Sequence, residues 1–220
     1  MSDALPISGM RRSYVRGRLD EATLAGDWAT QFGRWFAEAA ASELLAEPNA
    51  MVVATATPDG APSVRTVLLR GADADGFVFF TNYTSRKGGE LAANPRVALL
   101  FSWVPLERQV VVDGDASRVT REETEAYFAT RPRDSRLGAW ASPQSRVLAS
   151  RDVLEDAVAE VRRRFPDGTD VPPPEHWGGI RVRPRAVEFW QGRPDRLHDR
   201  LRYRRDDAAE GGWVIQRLAP

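Results

Sequence analysis

The first regular pattern in the chain begins at Asp27. Trp28, Phe32, Trp35, Phe36 and Ala39 recur at three- and four-residue intervals, the spacing that lines one face of a helix. They predict a helix running to about Leu45, with Asp27 as its N-cap and Pro48 beyond its end. The period then shortens. AMVVATAT, SVRTVLLR and FVFFTN, separated by the turn signals PDG and ADADG, predict consecutive antiparallel hairpins. A short helix over SRKGGELAANP and the β-rich runs RVALLFSWV and RQVVVDGDASRV come next. Thr120-Arg121-Glu122-Glu123 reads as a capping box opening a helix that ends near Arg131 and Pro132. Arg133 to Ser145 reads as a loop carrying Trp140, Arg151 to Phe165 as a helix, and DGTDVPPP as a rigid linker. IRVRPRAVEFWQG and WVIQRLAP then close the chain as strands around a polar turn. Hairpins with helices at the strand ends predict a mainly β fold with flanking helices, built as a small antiparallel barrel.

A chain of 220 residues allows one domain, or one domain with a short appendage. Residues 1–18 are polar and Arg-rich and predict a mobile arm. The 31 basic and 31 acidic side chains cancel, which argues against nucleic acid as a partner. No apolar run approaches the roughly 20 residues that span a bilayer, so no membrane association is expected. The opening MSDALPISGMRRSY lacks the apolar stretch of a secretory signal, which makes the cytoplasm the expected location.

Two absences narrow the chemistry. Without cysteine there is no thiolate nucleophile, iron–sulfur cluster or cysteine-ligated zinc. With His176 and His198 as the only histidines, a multi-histidine metal site within one chain is excluded, and no metal is expected. The nucleophile elbow, the Walker loop and the dinucleotide-binding glycine turn are also missing. An enzyme so equipped needs a bound cofactor for demanding chemistry.

Several segments could receive anions. Arg65 and Arg70 flank Thr66-Val67-Leu68-Leu69, and strand alternation puts them on opposite faces. They serve two different anions or stand as solvated edge arginines. Thr81-Asn82 and Ser85-Arg86-Lys87 lead from a strand end into a helix start, where free N–H groups and the helix dipole make either a phosphate cradle or a capped helix with a solvated first turn. Lys87 is the only lysine beside 30 arginines, so an arginine elsewhere can stand where a relative has lysine. Tyr127, Arg131 and Ser135 follow at four-residue spacing. Pro132 breaks the helix there, so Ser135 is expected to return from the loop, and the three form either a phosphate clamp or a surface helix end. Trp190 and the run Arg196-Leu197-His198-Asp199-Arg200 gather an aromatic face and a histidine between arginines, a functional group or a structural one.

In this order, RTVLLR, FFTNYTSRK, NPRVALLF, LERQV, YFATRPRDSRLGAWAS, HWGGIRV and VEFWQG with RLHDR resemble the pyridoxamine (pyridoxine) 5′-phosphate oxidase family from about Arg11 to the terminal RLAP. The resemblance implies a split antiparallel β-barrel, homodimeric, with FMN at the subunit interface held by both chains. It implies an FMN-binding barrel over residues 19–170, and a dimerisation and substrate-site segment over 171–220 packed on the same barrel. It assigns FMN to Arg65, Thr66, Val67, Leu68, Leu69, Arg70, Phe80 and Thr81, its phosphate to Arg86 and Lys87, and the rest of its pocket to Gln109, Gln144, Ser145, Trp190 and Arg200. The substrate, a small phosphorylated pyridine, falls to Tyr127, Arg131 and Ser135 with Arg70 beside them. Arg196, Leu197 and His198 lie over its ring, and Arg11, Arg12, Ser13 and Tyr14 act as a lid. Arg196 and His198 are the expected catalytic pair, orienting substrate for oxidation with dioxygen as acceptor. Two positions depart from the family pattern: Arg70 replaces a lysine and Phe80 a tyrosine. A flavin- or deazaflavin-dependent reductase on the same barrel, or a non-catalytic flavin or pyridoxal phosphate carrier, are the competing readings.

Overall fold

The computed structural model describes residues 13–220. In chain order the elements are α1 (Trp28–Ala40), β1 (Ala50–Ala56), β2 (Pro62–Leu68), β3 (Gly71–Asp73), β4 (Gly76–Asn82), α2 (Arg86–Ala93), β5 (Arg96–Trp103), β6 (Arg108–Arg118), α3 (Arg121–Ala129), α4 (Arg133–Ala141), α5 (Arg151–Arg164), β7 (Trp177–Gln191), β8 (Asp199–Arg205) and β9 (Trp213–Arg217). The strands hydrogen-bond in the order β2-β1-β5-β6-β7-β4-β3, with β8 on β7 and β9 on β8. The hairpin β1–β2 pairs Ala50 with Leu68 and Val53 with Arg65, and β4 runs antiparallel to the start of β7. This is a curled antiparallel half-barrel sheet with flanking helices, in keeping with the mainly β, antiparallel architecture expected from the sequence. No helix among the described residues is long and apolar enough to cross a membrane.

The chain divides into two compact units, each assembled from separate stretches, and the units cut across the boundaries expected at residues 18 and 170. The first takes residues up to Pro48, with 101–111 and 186–220. Its core is aromatic. Asp27 caps α1 by accepting from the Thr30 N–H, and the helix buries Trp28, Phe32, Trp35 and Ala39. Phe32 packs 5.0 Å from Phe101, and Trp35 meets Phe189 edge-on at 5.2 Å. Helix α1 ends at Ala40 rather than near Leu45, because the Ser42 hydroxyl accepts the Leu44 N–H and turns the chain. Tyr14 and Leu19, at the end of the expected arm, are tied into this unit by ring contacts and by a hydrogen bond from the Leu19 N–H to Asp199.

The second unit takes residues 49–100 and 112–185. Three readings of its sequence and of the C-terminal strands are corrected. The stretch from Arg133 is not a loop but α4, because Pro132 occupies the N-cap position, where its missing N–H costs no helical bond, and Leu137 and Ala141 find a buried face. DGTDVPPP is not a free linker. Arg133 donates to the carbonyls of Phe165, Pro166 and Thr169, the Trp140 indole to Pro172, and Arg121 to Pro173, so the segment is clamped onto α3 and α4. The expected polar turn near the C-terminus contains β8, whose alternation reduces to buried Leu201 and Tyr203 between arginines.

Helix α2 packs against its own entry loop. The Ser85 hydroxyl accepts the Gly88 N–H, and a Cβ at Gly88 would lie 2.2 Å from the Tyr83 carbonyl oxygen. Gly88→Ala is therefore expected to destabilise the protein by about 1–3 kcal/mol through forced displacement of backbone. Gly89→Ala, with no atom within 4 Å of the new methyl, is expected to stay within about 1 kcal/mol of the parent. Thermal unfolding of both variants checks this, and equal melting temperatures would show that the Gly88 contact is not limiting.

Candidate functional site

The end of β2, the end of β4, the start of α2 and the α3–α4 corner enclose a cavity of about 510 Å³ in the second unit. Its walls are Thr66, Val67, Leu68, Arg70, Phe80, Thr81, Lys87, Tyr127, Thr130, Arg131, Pro132, Ser135, Gln144 and Trp177. Eleven positions singled out from the sequence thus converge here, although they span residues 66 to 144. Ser135 reaches the cavity from the first turn of α4, not from a loop.

Lys87 is buried in the first turn of α2. Its ammonium donates to Thr81 Oγ1 at 3.0 Å and Gln144 Oε1 at 2.8 Å, which are neutral acceptors. Burial, and then the nearby Arg65 charge, bring its pKa down to about 8. Beneath it lies Glu90, one turn along the same helix. Its carboxylate accepts from Ser63 Oγ at 2.5 Å, from Thr55 Oγ1, from Arg65 at 3.3 Å and from Arg86 Nε at 2.8 Å. Burial works against the charge, but the hydrogen bonds from Ser63, Thr55 and Arg86 outweigh it and hold the Glu90 carboxyl down at about 2. Arg65 also donates to the Val53 carbonyl and to Thr55 and Ser63, so it braces β1 and β2 and does not line the cavity. Leu69 is buried in the core. Arg86 is exposed, and with Gln144 and Ser145 it borders a separate cavity of about 580 Å³.

Arg131 has no ion pair among the described residues. It is half-buried, and its Nη1 has no hydrogen-bond partner among the described residues. Burial lowers its pKa, Tyr127 opposes that, and Arg70 adds to it. The guanidinium lies over the Trp177 ring at 4.6 Å and the Phe128 ring at 5.3 Å. Arg70, exposed at the cavity edge, stacks over Tyr127 at 5.9 Å. Phe80 stacks on Tyr127 at 3.8 Å, a contact its ring makes without the hydroxyl of a tyrosine.

Of the remaining sequence-predicted residues, Tyr14, Trp190 and His198 meet in the first unit. The rings of Trp190 and His198 lie 4.6 Å apart, and Tyr14 packs 5.8 Å from each. His198 Nδ1 accepts the Arg193 N–H at 3.1 Å, which leaves Nε2 to carry the proton of the neutral ring. Arg196 is exposed, with its backbone in the left-handed region at φ 62°. Leu197 is exposed beside it. Arg200 grips Glu188 through two hydrogen bonds, at 2.7 and 3.0 Å, and Gln109 is half-buried in β6. Ser13 is exposed, and Arg11 and Arg12 lie outside the described residues.

Sequence reasoning missed Trp177 and Glu90 as site residues. Trp177 was visible only as part of HWGGIRV. Glu90 had a fainter signal, an acid three and four residues after the cations that open α2.

Comparison with known proteins agrees with this geometry. A family model described as pyridoxamine 5′-phosphate oxidase matches residues 37–165, and one described as the pyridoxine 5′-phosphate oxidase C-terminal dimerisation region matches 177–220. The chain is 58% identical to a pyridoxine/pyridoxamine 5′-phosphate oxidase of Salinispora arenicola, covering 99% of this chain and 98% of that one. It is 59% identical to one of Rubrobacter xylanophilus, covering 97% and 96%. Among solved structures it resembles PhzG from Burkholderia lata, in complex with tetrahydrophenazine-1-carboxylic acid, with a TM-score of 0.80, 34% identity and coverage of 87% and 91%. A pyridoxamine 5′-phosphate oxidase-related, FMN-binding protein from Nostoc punctiforme shares the fold, with a TM-score of 0.68, 20% identity and coverage of 90% and 99%. Matched by family models along most of its length and by relatives more than half identical to it, the chain belongs to the pyridoxamine 5′-phosphate oxidase family, and its cofactor is FMN.

Proposed function

We propose that the chain oxidises pyridoxamine 5′-phosphate, pyridoxine 5′-phosphate or both to pyridoxal 5′-phosphate, in the cytoplasm and as a homodimer, with dioxygen as acceptor and hydrogen peroxide as product. The observation that carries this reading is a single cavity with two separately held cations in its wall, Lys87 and Arg131, and Arg70 at its edge, none of them paired to a carboxylate among the described residues. A phosphorylated cofactor and a phosphorylated substrate need such a pair. The match of residues 177–220 to a dimerisation region supports the homodimer, with FMN at its interface.

The residues fit FMN. Lys87 at the N-terminus of α2 offers a charge beside free N–H groups, the arrangement that receives a phosphate, and Arg86 stands next to it. Thr66, Val67 and Leu68 supply the strand wall against which a planar ring system can lie. When bound, FMN supplies the two-electron acceptor, restored by dioxygen. The unpartnered Arg131 Nη1, with Ser135, Tyr127 and Arg70, takes the substrate phosphate through charge-assisted hydrogen bonds. Arg196 and His198 orient the substrate ring; the His198 Nε2–H acts as a donor, since Nδ1 is engaged. The amine substrate loses two electrons and two protons to become an imine, which water hydrolyses to aldehyde and ammonium. The alcohol passes directly to the aldehyde.

The test is the visible spectrum of the purified protein, then peroxide release with pyridoxamine 5′-phosphate under air. A yellow protein that releases peroxide and aldehyde supports the assignment. A yellow protein inert to both B6 phosphates would move it to a reductase of the same fold, and a yellow binder of pyridoxal phosphate without oxygen uptake to a carrier.

Lys87 gives a pH prediction. Its pKa in the apoprotein is depressed to about 8, so the ammonium that meets the phosphate is lost as pH rises through that value. FMN affinity of the apoprotein is expected to hold up to about pH 8 and fall above it, and Lys87→Arg to remove the fall. Flavin fluorescence titrations across pH measure this, and an identical fall in Lys87→Arg would assign it to another group. Arg196→Ala is expected to lower turnover roughly a hundredfold while FMN stays bound, because orientation is lost and not the cofactor. Loss of flavin from that variant would remove Arg196 from the substrate side.

A further inference from the structure

Arg131 keeps its position without a counter-ion, and the ring system beneath it explains how. Trp177 opens β7 opposite Asn82, and its ring lies nearly parallel to Phe80 (5.4 Å, 17°) and to Tyr127 (6.3 Å, 7°). Two glycines follow it in sequence. At Gly179 a Cβ would stand 3.0 Å from Phe80 Cε1, so the missing side chain lets Phe80 lie against the strand and complete the stack. Phe128 meets the Trp177 edge at 4.9 Å and fixes the indole from the other side. Trp177 is 7% exposed.

We propose that Trp177 is a positioning residue for the substrate phosphate, holding the Arg131 guanidinium on its π face so that the charge stays uncompensated and free to meet the anion. The inference rests on the reading of Arg131 as the phosphate clamp. An aromatic face attracts a guanidinium through its quadrupole and does not occupy the N–H donors. A carboxylate in the same place would use those donors, as Glu90 uses donors of Arg65 and Arg86, and would compete with the phosphate. The unpartnered Nη1 is the donor that this arrangement leaves available.

The experiment titrates pyridoxal 5′-phosphate and, separately, pyridoxal into the FMN-loaded protein, followed by visible absorbance, for the parent, Trp177→Phe, Trp177→Leu and Arg131→Ala. Trp177→Leu is expected to weaken pyridoxal 5′-phosphate about tenfold, the equivalent of ~1.4 kcal/mol, and to leave pyridoxal unchanged. Trp177→Phe, which keeps a π face, should stay within about threefold of the parent. In steady-state assays the same variants should raise KM with little change in kcat. Parent-like affinity in Trp177→Leu beside a weakened Arg131→Ala would overturn the role of Trp177 and leave the clamp standing. An unaffected Arg131→Ala would sink the clamp itself. Equal weakening of both ligands in Trp177→Leu would make the tryptophan merely structural. Should Trp177→Leu fail to hold FMN, Trp177→Met, which keeps apolar bulk without a π face, is measured in its place; loss of FMN from both overturns the proposal.

Discussion

Burying a cation without an anion beside it is costly, and most of this chain avoids doing so. Arg181 bridges Asp73 and Glu123, Arg200 grips Glu188, and Arg65 meets Glu90. Among the described residues of the second unit, Lys87 and Arg131 break the pattern. The first is given neutral acceptors and the second aromatic faces, and both line one cavity. On the proposed reading, the charge left unmatched in that wall is what receives phosphorylated ligands.

The supports are local. Glu90 gathers the two arginines that would otherwise crowd Lys87, and so ties the first turn of α2 to the hairpin of β1 and β2. The capping box at Thr120 and Glu123 fixes the start of α3, and Pro132 ends one helix and begins the next, so that Arg131 and Ser135 face a common space. Arg133, one residue further, binds three carbonyls beyond α5 and anchors the corner.

Much of this was legible in the sequence because it depended on local rules. The α1 stripe, the β1–β2 hairpin and the Thr120 capping box each follow from spacing and turn chemistry, and each is present. What escaped was set by tertiary partners. Nothing in RDSRLGAWA distinguishes α4 from a loop until Leu137 and Ala141 have a core to enter. The arginine-rich run of β8 becomes a strand only because β7 and β9 pair with it. Site residues show the same division. Lys87 was conspicuous as the only lysine, whereas the contacts of Arg65 with the strands were not, because Glu90 is folded against it from 25 residues away.

The central claim is that the two uncompensated cations receive two different phosphates. A crystal structure of the protein with both FMN and pyridoxal 5′-phosphate bound measures this most directly. The account predicts one phosphate at Lys87 and the start of α2, and the other on Arg131 Nη1 with Ser135, the Arg131 guanidinium still lying on Trp177. A pyridoxal phosphate bound elsewhere, with Arg131 Nη1 still unpartnered, would contradict it.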